Sequence, residues 1–289
     1  MIMACLTPIL LNDRFGNVVK VPCGHCLSCR KERSKAWGFR LMCECASWQS
    51  SVFLTLTYDE EHVTFVDDVC FPFYATLVPR DLQLFFKRLR KALDGRSIKY
   101  YACGEYGTNT YRPHYHAILF GVDYSDLPAI ERSWQMGFVK LDEVNAATCN
   151  YVSGYVQKKL YGRDVYPSWI VPPFSRMSKH LGFDYFEKHH EEIFAHGLHF
   201  QGKQIPVPRY FYRLCSEGKI GNYSESDVIA KRAEISKKMQ EKADLDVSRR
   251  FGYSEYSDEK GAFRISLDES NRVGAVARET FFKDNRSKI

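Results

Sequence analysis

Two histidines separated by one residue, His114 and His116, stand in a largely apolar run that is typical of a buried strand. Successive side chains of a strand point to opposite faces of its sheet, so the two imidazoles share one face and Tyr115 points to the other. Two neighbouring imidazoles can together bind a divalent metal ion. The alternative is a pair of surface histidines, which is the usual meaning of an isolated His-x-His pattern.

A second group of reactive side chains follows in a segment with the pattern of a helix, residues 146–160. At about 100° per residue, Tyr151, Tyr155 and Lys158 fall within one arc of the helix surface. Lys159 lies at the edge of this arc. A phenol beside an ammonium group can act as a nucleophile, because the cation favours the phenolate. The alternative is a helix with half-buried tyrosines and solvated lysines.

The order of these motifs along the chain is that of a known enzyme family. A β-rich run, residues 51–58, precedes the His-x-His strand, and the Tyr-x3-Tyr-x2-Lys helix follows it. In this order the chain resembles the HUH endonucleases that initiate rolling-circle replication, and among them the two-tyrosine initiators of the small single-stranded DNA phages, the microviruses. The segments that carry the resemblance are Val21-Pro-Cys-Gly-His-Cys-Leu-Ser-Cys-Arg30, Phe53-Leu-Thr-Leu-Thr-Tyr-Asp59, Phe86-Lys-Arg-Leu-Arg-Lys91, Cys103-Gly-Glu-Tyr-Gly107 and Tyr111-Arg-Pro-His-Tyr-His116.

The resemblance covers roughly residues 1–160, is weaker over 174–178 and 208–213, and does not extend beyond about residue 225. It implies a site-specific nickase in which a tyrosine attacks DNA, leaving a 5′-phosphotyrosine and a free 3′-hydroxyl that primes a polymerase. Tyr151 and Tyr155 would be the two nucleophiles, with Lys158 stabilising charge and Lys159 as its alternate. Tyr155 is expected to be the stronger nucleophile, because Lys158 is closest to it along the helix.

The resemblance also raises the importance of one carboxylate, Glu105. Magnesium or manganese held by two imidazoles usually takes an oxygen ligand as well. Glu105 ends the strand before the His-x-His strand, and a hairpin register could bring it beside His114. Taken alone, Glu105 would be a solvated surface residue. The expected catalytic metal site is therefore Glu105, His114 and His116.

Periodicity along the chain predicts an α+β fold. Helices are expected at 30–48, 79–93, 127–134 and 146–160, and strands at 51–58, 99–103, 114–122 and 138–141, with a short hairpin in an insertion over 60–78. The order β-α-β-β-α-β-α is a ferredoxin-like or RRM-like pattern with an antiparallel sheet, and the HUH family places its histidines on a central strand of such a sheet.

Four segments are expected along the chain. Residues 1–50 are expected to form an N-terminal cysteine-rich segment, irregular up to residue 30, followed by a helix, and residues 51–162 the HUH endonuclease core. Residues 163–223 are expected to form an aromatic- and proline-rich extension that packs on the core and is helical near 184–195. Residues 224–289 are expected to form a charged, partly helical tail with a helix over 233–243. The C-terminal region is thus mainly helical, and roughly the last 40 residues have few apolar anchors and are expected to be poorly ordered.

Ten cysteines are many for a chain in which no secretory signal is expected. Cys23, Cys26 and Cys29 follow a Cys-x2-Cys-x2-Cys spacing that lets thiolates reach one tetrahedral ion, and Cys5 lies upstream. A structural zinc held by these four is one interpretation, and a set of reduced thiols on a loop and early helix is the other. The alternates as zinc ligands are Cys43, Cys45 and His25.

The bulk composition is compatible with nucleic-acid binding. The net charge is +6 with a pI near 8.7, and the segment 86–91 is rich in cations. Arg88, Arg90 and Lys91 could contact phosphates, although a solvated helix face is nearly as good an interpretation. Lys159, at the end of the tyrosine helix, is a fourth candidate for DNA binding. Aromatic side chains such as Tyr106 and Tyr111 could stack on unpaired bases or belong to the core. No apolar run is long enough for a transmembrane helix, and no P-loop is present.

The resemblance implies single-stranded and origin DNA, a host helicase and a host DNA polymerase as partners, and the cytoplasm of a bacterial host as the location. Two other functions remain open. One is a zinc-stabilised nucleic-acid-binding protein without catalysis, which would have no use for two phenols beside a metal site. The other is an HUH transposase, against which the phage-like cysteine motif and the long C-terminal region argue.

Overall fold

The computed structural model describes residues 5, 7–12, 16–66, 75–107, 110–158, 169–200, 203–205 and 207–251. Its elements in chain order are β1 (Ile9–Asn12), β2 (Val18–Val21), α1 (Leu27–Ala46), β3 (Ser51–Thr57), α2 (Pro79–Ala92), β4 (Lys99–Tyr106), β5 (Pro113–Phe120), a single 3-10 turn (Tyr124–Asp126), α3 (Leu127–Trp134), β6 (Val139–Glu143), α4 (Ala146–Lys158), β7 (Phe174–Met177), α5 (Phe183–His196), β8 (Leu198–Phe200), β9 (Lys203–Ile205), α6 (Arg209–Ser216) and α7 (Glu225–Phe251). The chain divides into two compact units, residues 34–188 and residues 1–33 with 189–289.

The unit of residues 34–188 contains a five-stranded sheet in the order β6-β3-β5-β4-β7, with every adjacent pair antiparallel. The central strand β5 is the one that carries the two histidines. Its residues are almost all buried because neighbouring strands and helices cover it on both sides. The α+β fold with a central His-x-His strand, expected from the sequence, is therefore confirmed.

Alternation along the strands divides this unit into two hydrophobic layers. On one face, Leu54 and Tyr115 pack with side chains of α2 and α3, such as Phe85 and Trp134. The residues of the opposite face, which include Phe53, Ile118 and Phe120, pack with α1 through Leu41 and with α4 through Val152. Because His114 and His116 alternate with Tyr115, they lie on the face covered by α1 and α4.

The sequence-based elements need several corrections. The segment up to residue 30, expected to be irregular, forms the β1–β2 hairpin, and α1 begins at Leu27. Strand β4 extends to Tyr106, and the helix expected over 233–243 is the longer α7. Strand β7 was not predicted and adds an edge to the sheet. Within the 60–78 insertion, Phe65 and Ala75 form a single antiparallel bridge, and residues 67–74 lie outside the described part of the chain.

The other unit contains two small hairpins, β1–β2 and β8–β9, together with α6 and α7. Its aromatic core includes a stacked pair, Phe194 and Tyr212, with ring centroids 5.6 Å apart. Residues 252–289, where poor order was expected, lie outside the described residues. None of the helices that the structure describes combines the length and apolar character needed to cross a membrane.

Candidate active site

The pairing of β4 with β5 places Glu105 directly opposite His114. Cross-strand partners in an antiparallel pair point to the same face, and His116 shares that face because it is two residues further along β5. The three side chains thus meet on the sheet as the sequence predicts. Their position is set by the backbone register, which the apolar alternation of both strands fixes.

The imidazoles converge on one carboxylate oxygen. His114 Nε2 lies 3.0 Å from Glu105 Oε1, and His116 Nε2 lies 3.5 Å from the same atom. Taking one ligand atom from each residue, all three lie within 4.8 Å of one another, which is close enough to share one ion. Glu105 and His116 are buried, with 6% and 7% of their surfaces exposed, so this carboxylate needs a cationic partner.

The far nitrogens of both rings are also held in place. His114 Nδ1 lies 3.2 Å from the carbonyl oxygen of Arg112, and His116 Nδ1 lies 3.0 Å from the hydroxyl of Thr55. A carbonyl only accepts hydrogen bonds, so His114 Nδ1 carries a proton and, in a neutral ring, Nε2 presents a lone pair. That lone pair faces a carboxylate oxygen, so either a second proton or a cation must lie between the two acceptors. The donor set therefore fits a divalent metal ion.

A tyrosine from α4 lies against the histidine pair. The ring centroids of Tyr151 and His116 are 5.4 Å apart with the rings nearly perpendicular, and Tyr151 is 50% exposed. Phe53 stacks on the His116 ring, also at 5.4 Å between centroids, and meets Tyr151 edge-on at 6.2 Å. A solvent-accessible phenol therefore lies beside an imidazole of the Glu/His/His group.

The position of α4 depends on its close packing against α1. Gly38 of α1 has no Cβ, and one built there would come within 2.6 Å of the Asn150 Oδ1 atom. The hydroxyls of Ser34 and Ser153 lie 3.5 Å apart across the same contact, and Val152 is fully buried. With this side of α4 against the core, Tyr151 lies on the exposed side.

The remaining predicted residues of the tyrosine helix are described only in part. The backbones of Tyr155 and Lys158 lie in α4, which continues to Lys158, but their side chains lie outside what the structure describes. Lys159 lies outside the described residues altogether. The roles expected for these three residues stay predictions.

Tyr115, the residue between the histidines, has a structural function. Burial raises the pKa of Tyr115 to about 12, so its hydroxyl stays protonated at neutral pH. The hydroxyl donates to the Val78 carbonyl oxygen at 2.9 Å and lies 2.8 Å from that of Tyr58. These contacts hold the start of α2, on the sheet face opposite to the Glu/His/His group.

The cations expected to bind DNA on α2 are not brought together with this group. Arg88, Arg90 and Lys91 are exposed on α2, which packs on the other face of the sheet. The Arg88 guanidinium reaches the Ser133 carbonyl oxygen at 3.5 Å, and that of Arg90 lies 5.6 Å from the ring centre of Tyr100. Arg88 and Arg90 therefore make local contacts, and all three cations lie on the helix that covers the sheet face opposite to the histidines.

Of the aromatic side chains considered for base stacking, Tyr106 packs against the core. Its hydroxyl donates to the Val171 carbonyl oxygen at 2.7 Å and accepts from the Leu77 amide at 3.1 Å. Tyr111 is half-buried in the β4–β5 turn, with a positive φ of 52°.

Two neighbours of His116, Thr55 and Phe53, were not identified from the sequence. Strand alternation combined with the β3–β5 register would have placed both on the histidine face.

The structure brings together the four cysteines that the spacing singled out, Cys5, Cys23, Cys26 and Cys29. Although burial opposes it, hydrogen bonds from the Thr7 hydroxyl and from nearby backbone amides lower the pKa of Cys23 to about 6. The two cysteines considered as alternate zinc ligands are not part of this group. Cys43 is buried, and the Cys45 thiol is hydrogen-bonded to that of Cys149 on α4.

Known proteins resemble the chain across the strands and helix that form this site. The family model described as replication-associated protein ORF2 matches residues 51–160. Replication-associated protein ORF2 of Spiroplasma virus 4 is 32% identical over 75% of this chain and 74% of its own length. Replication-associated protein VP4 of Bdellovibrio phage phiMH2K is 29% identical over 90% of this chain and 87% of its own length. Replication-associated protein ORF4 of Chlamydia phage 1 is 30% identical over 67% of this chain and 53% of its own length. No solved structure matches the chain.

Proposed function

Because this chain belongs to the family of phage replication-associated proteins, we propose that it is a site-specific nicking and joining endonuclease for single-stranded DNA. It initiates and terminates rolling-circle replication of a small circular phage genome through a 5′-phosphotyrosine intermediate. The observation that carries the proposal is the contact between Tyr151 and His116, in which a half-exposed phenol lies against an imidazole of the Glu/His/His group.

Glu105, His114 and His116 would hold magnesium or manganese, since a carboxylate oxygen and two imidazoles suit these ions. When bound, such an ion would polarise the scissile phosphate. Thr55 and the carbonyl of Arg112 hold the two rings from behind, so the Nε2 atoms keep their direction without rearrangement. Because the ring orientations are fixed, the phosphate can be held in one position, which favours in-line attack by the phenol.

The covalent step exchanges one phosphodiester for another. The phenol oxygen of Tyr151 or Tyr155 attacks the scissile phosphorus while the bond to the 3′ oxygen breaks. The phenol loses its proton and the departing 3′ oxygen gains one, so the products are a 5′-phosphotyrosine and a free 3′-hydroxyl. Because an ester bond is retained, the reverse reaction can join the ends. Lys158, with Lys159 as the alternate, would stabilise negative charge on the phenolate or phosphate.

Two nucleophiles explain how one protein can both open and close a circle. The first tyrosine holds the 5′ end while the 3′-hydroxyl is extended by the host DNA polymerase behind a host helicase, in the cytoplasm of the bacterial host. When the origin has been regenerated, the second tyrosine cuts it and the released 3′-hydroxyl attacks the first phosphotyrosine. Helical spacing places residues 151 and 155 one turn apart, which supports alternate use of the two at one phosphate.

The α2 cations contribute to DNA binding away from the reacting phosphate. Arg88, Arg90 and Lys91 are exposed on the far face of the sheet, so they would contact phosphates of flanking DNA. Such contacts are independent of sequence and weaken as salt rises. They would affect affinity and leave the chemical step unchanged.

The alternatives fit the observations less well. A nucleic-acid-binding protein without catalysis has no reason to place Tyr151 beside a buried carboxylate with two converging imidazoles. An HUH transposase would share this geometry. The relatives that cover two thirds or more of the chain are described as replication-associated proteins, which favours replication.

The test uses labelled single-stranded oligonucleotides that tile the genome encoding the chain, incubated with the protein and manganese. We expect cleavage of one tile, a 3′ product that a polymerase can extend and a 5′ product linked to protein. His114→Ala should remove cleavage. His62→Ala is the matched control, because His62 is an exposed histidine paired with Asp59. Failure to cut any tile, or equal cutting by His114→Ala at saturating manganese, would overturn the proposal.

A further inference from the structure

We propose that Cys5, Cys23, Cys26 and Cys29 hold a structural zinc ion, which connects both ends of the β1–β2 hairpin to the start of α1. This centre is separate from the Glu/His/His group and does not depend on the proposed nickase activity. Its ligands come from three places in the chain. Cys5 precedes β1, Cys23 follows β2, and Cys26 and Cys29 flank the start of α1.

The sulfur positions fit a tetrahedral ion. Cys5 Sγ lies 3.9 Å from Cys26 Sγ, and Cys23 Sγ lies 3.9 Å from Cys29 Sγ. All four sulfurs lie within 4.8 Å of one another. A tetrahedral site with Zn–S bonds of about 2.3 Å requires sulfurs about 3.8 Å apart. The four thiols therefore surround a space of the right size, and none of the cysteines that the structure describes forms a disulfide.

The backbone around the sulfurs is arranged to support thiolates. The Cys26 and His25 amides donate to Cys23 Sγ at 3.3 and 3.4 Å, and the Cys23 amide donates to Cys5 Sγ at 3.3 Å. The positive φ of Gly24, 79°, gives the sharp turn that points successive amides towards one sulfur. Hydrogen bonds to sulfur stabilise its charged form, which is the form that binds metal.

The donor set selects the metal. Four thiolates are soft ligands that favour zinc, whereas magnesium and manganese prefer oxygen and imidazole donors. Exchange of metal ions between the four-cysteine centre and the Glu/His/His group is therefore not expected. Complete coordination by four protein ligands also leaves no position for substrate, so the role of the ion is structural.

The hairpin needs such a centre because its described residues, 7–12 and 16–21, form almost no core of their own. Every residue of β1 is exposed, and Leu10 and Val18 expose 60% and 67% of their surfaces. An isolated two-stranded hairpin is at best marginally stable in water. An ion that joins Cys5, Cys23 and the first turn of α1 holds both hairpin ends together, and its binding energy becomes folding energy for this segment.

The test begins with the zinc content of the purified full chain, measured by native mass spectrometry. We expect one zinc per chain, lost in Cys23→Ser with Cys26→Ser. It should be retained in His25→Ala, because His25 is exposed and contributes its backbone amide. It should also be retained when Glu105→Gln, His114→Ala and His116→Ala are combined. A wild-type chain without zinc, or zinc lost in either control and kept in the cysteine variant, would overturn the assignment.

Two further measurements hold even if the cysteine variant fails to fold. Cobalt(II) titration of the zinc-depleted wild-type chain should give the sulfur charge-transfer and strong visible bands of tetrahedral thiolate coordination. Chelation should increase tryptic cleavage after Lys20 in β2, while cleavage after the exposed Lys140 in β6 stays constant. Absence of thiolate bands, or Lys20 cleavage unchanged by zinc removal, would contradict the proposal.

Discussion

Glu105 and His114 face each other directly across two adjacent strands, β4 and β5, and Glu105 Oε1 lies 3.0 Å from His114 Nε2. The pairing makes the backbone register the main determinant of how the Glu/His/His group is assembled. Slippage by one residue would turn Glu105 to the opposite face of the sheet. Burial of both strands makes such slippage costly, so the donor atoms are held in place before any ligand arrives.

The first prediction concerns metal affinity. His114→Ala should abolish manganese binding at this site, measured by electron paramagnetic resonance, and leave the melting temperature nearly unchanged, because the ring is partly exposed. Glu105→Gln should weaken binding less, since the amide oxygen can still coordinate but carries no charge. Manganese bound by His114→Ala as tightly as by the wild type would remove this residue from the ligand set.

The second prediction concerns Thr55, whose hydroxyl lies 3.0 Å from His116 Nδ1. Thr55→Val keeps the shape and removes the hydrogen bond, so the manganese affinity should fall by roughly 10–100-fold. Thr55→Ser restores the hydroxyl and should recover most of that loss. The manganese dependence of nicking provides the measurement. Equal affinities for the valine and serine variants would show that Thr55 does not orient the ring.

The third prediction separates metal binding from placement of the tyrosine helix. Gly38→Val puts side-chain atoms where Asn150 and Ser153 approach α1, which should displace α4. Adduct formation should then fall on the order of 10–100-fold, since small misplacements of reacting groups are costly, while the manganese affinity stays unchanged.

Gly154→Ala is the matched control for Gly38→Val, because a Cβ at Gly154 meets nothing within 4 Å. This change should stabilise α4 by up to about 1 kcal/mol and preserve the adduct yield. If Gly38→Val and Gly154→Ala gave the same yield, the close approach of α1 and α4 would not be what positions Tyr151.

The histidine face could be predicted from the sequence because its determinants are local. Strand alternation places His114 and His116 together, and the short turn between β4 and β5 limits the registers available to Glu105. The contact of Thr55 with His116 joins strands that are distant in sequence. No local pattern reveals which strand pairs with which, so this contact was missed.

Two further differences also have physical causes. The side of the sheet on which a helix packs is not encoded in its own periodicity, so the cations of α2 could not be placed relative to the histidines. The β1–β2 hairpin was missed because its residues are exposed on both sides and therefore lack the alternation that marks a half-buried strand.

The fourth prediction concerns the nucleophiles. Tyr151→Phe and Tyr155→Phe, made singly, should each leave some first-strand nicking, because the remaining phenol can still attack. Each should fail more severely at termination, which requires two successive transesterifications. A linear substrate carrying one origin measures the first step, and circle formation from tandem origins measures the second. Wild-type circle yields from both single variants would contradict the need for two phenols.

Covalent attack by a tyrosine of α4 is best tested by mass spectrometry of the protein–DNA adduct trapped on the cleaved origin strand. We expect peptides in which the DNA 5′-phosphate is attached to Tyr151 or Tyr155, with the adduct moving to the partner in each single variant and vanishing in Tyr151→Phe with Tyr155→Phe. A covalent adduct that persists in this double variant, or cleavage without any adduct, would show that neither phenol is the nucleophile.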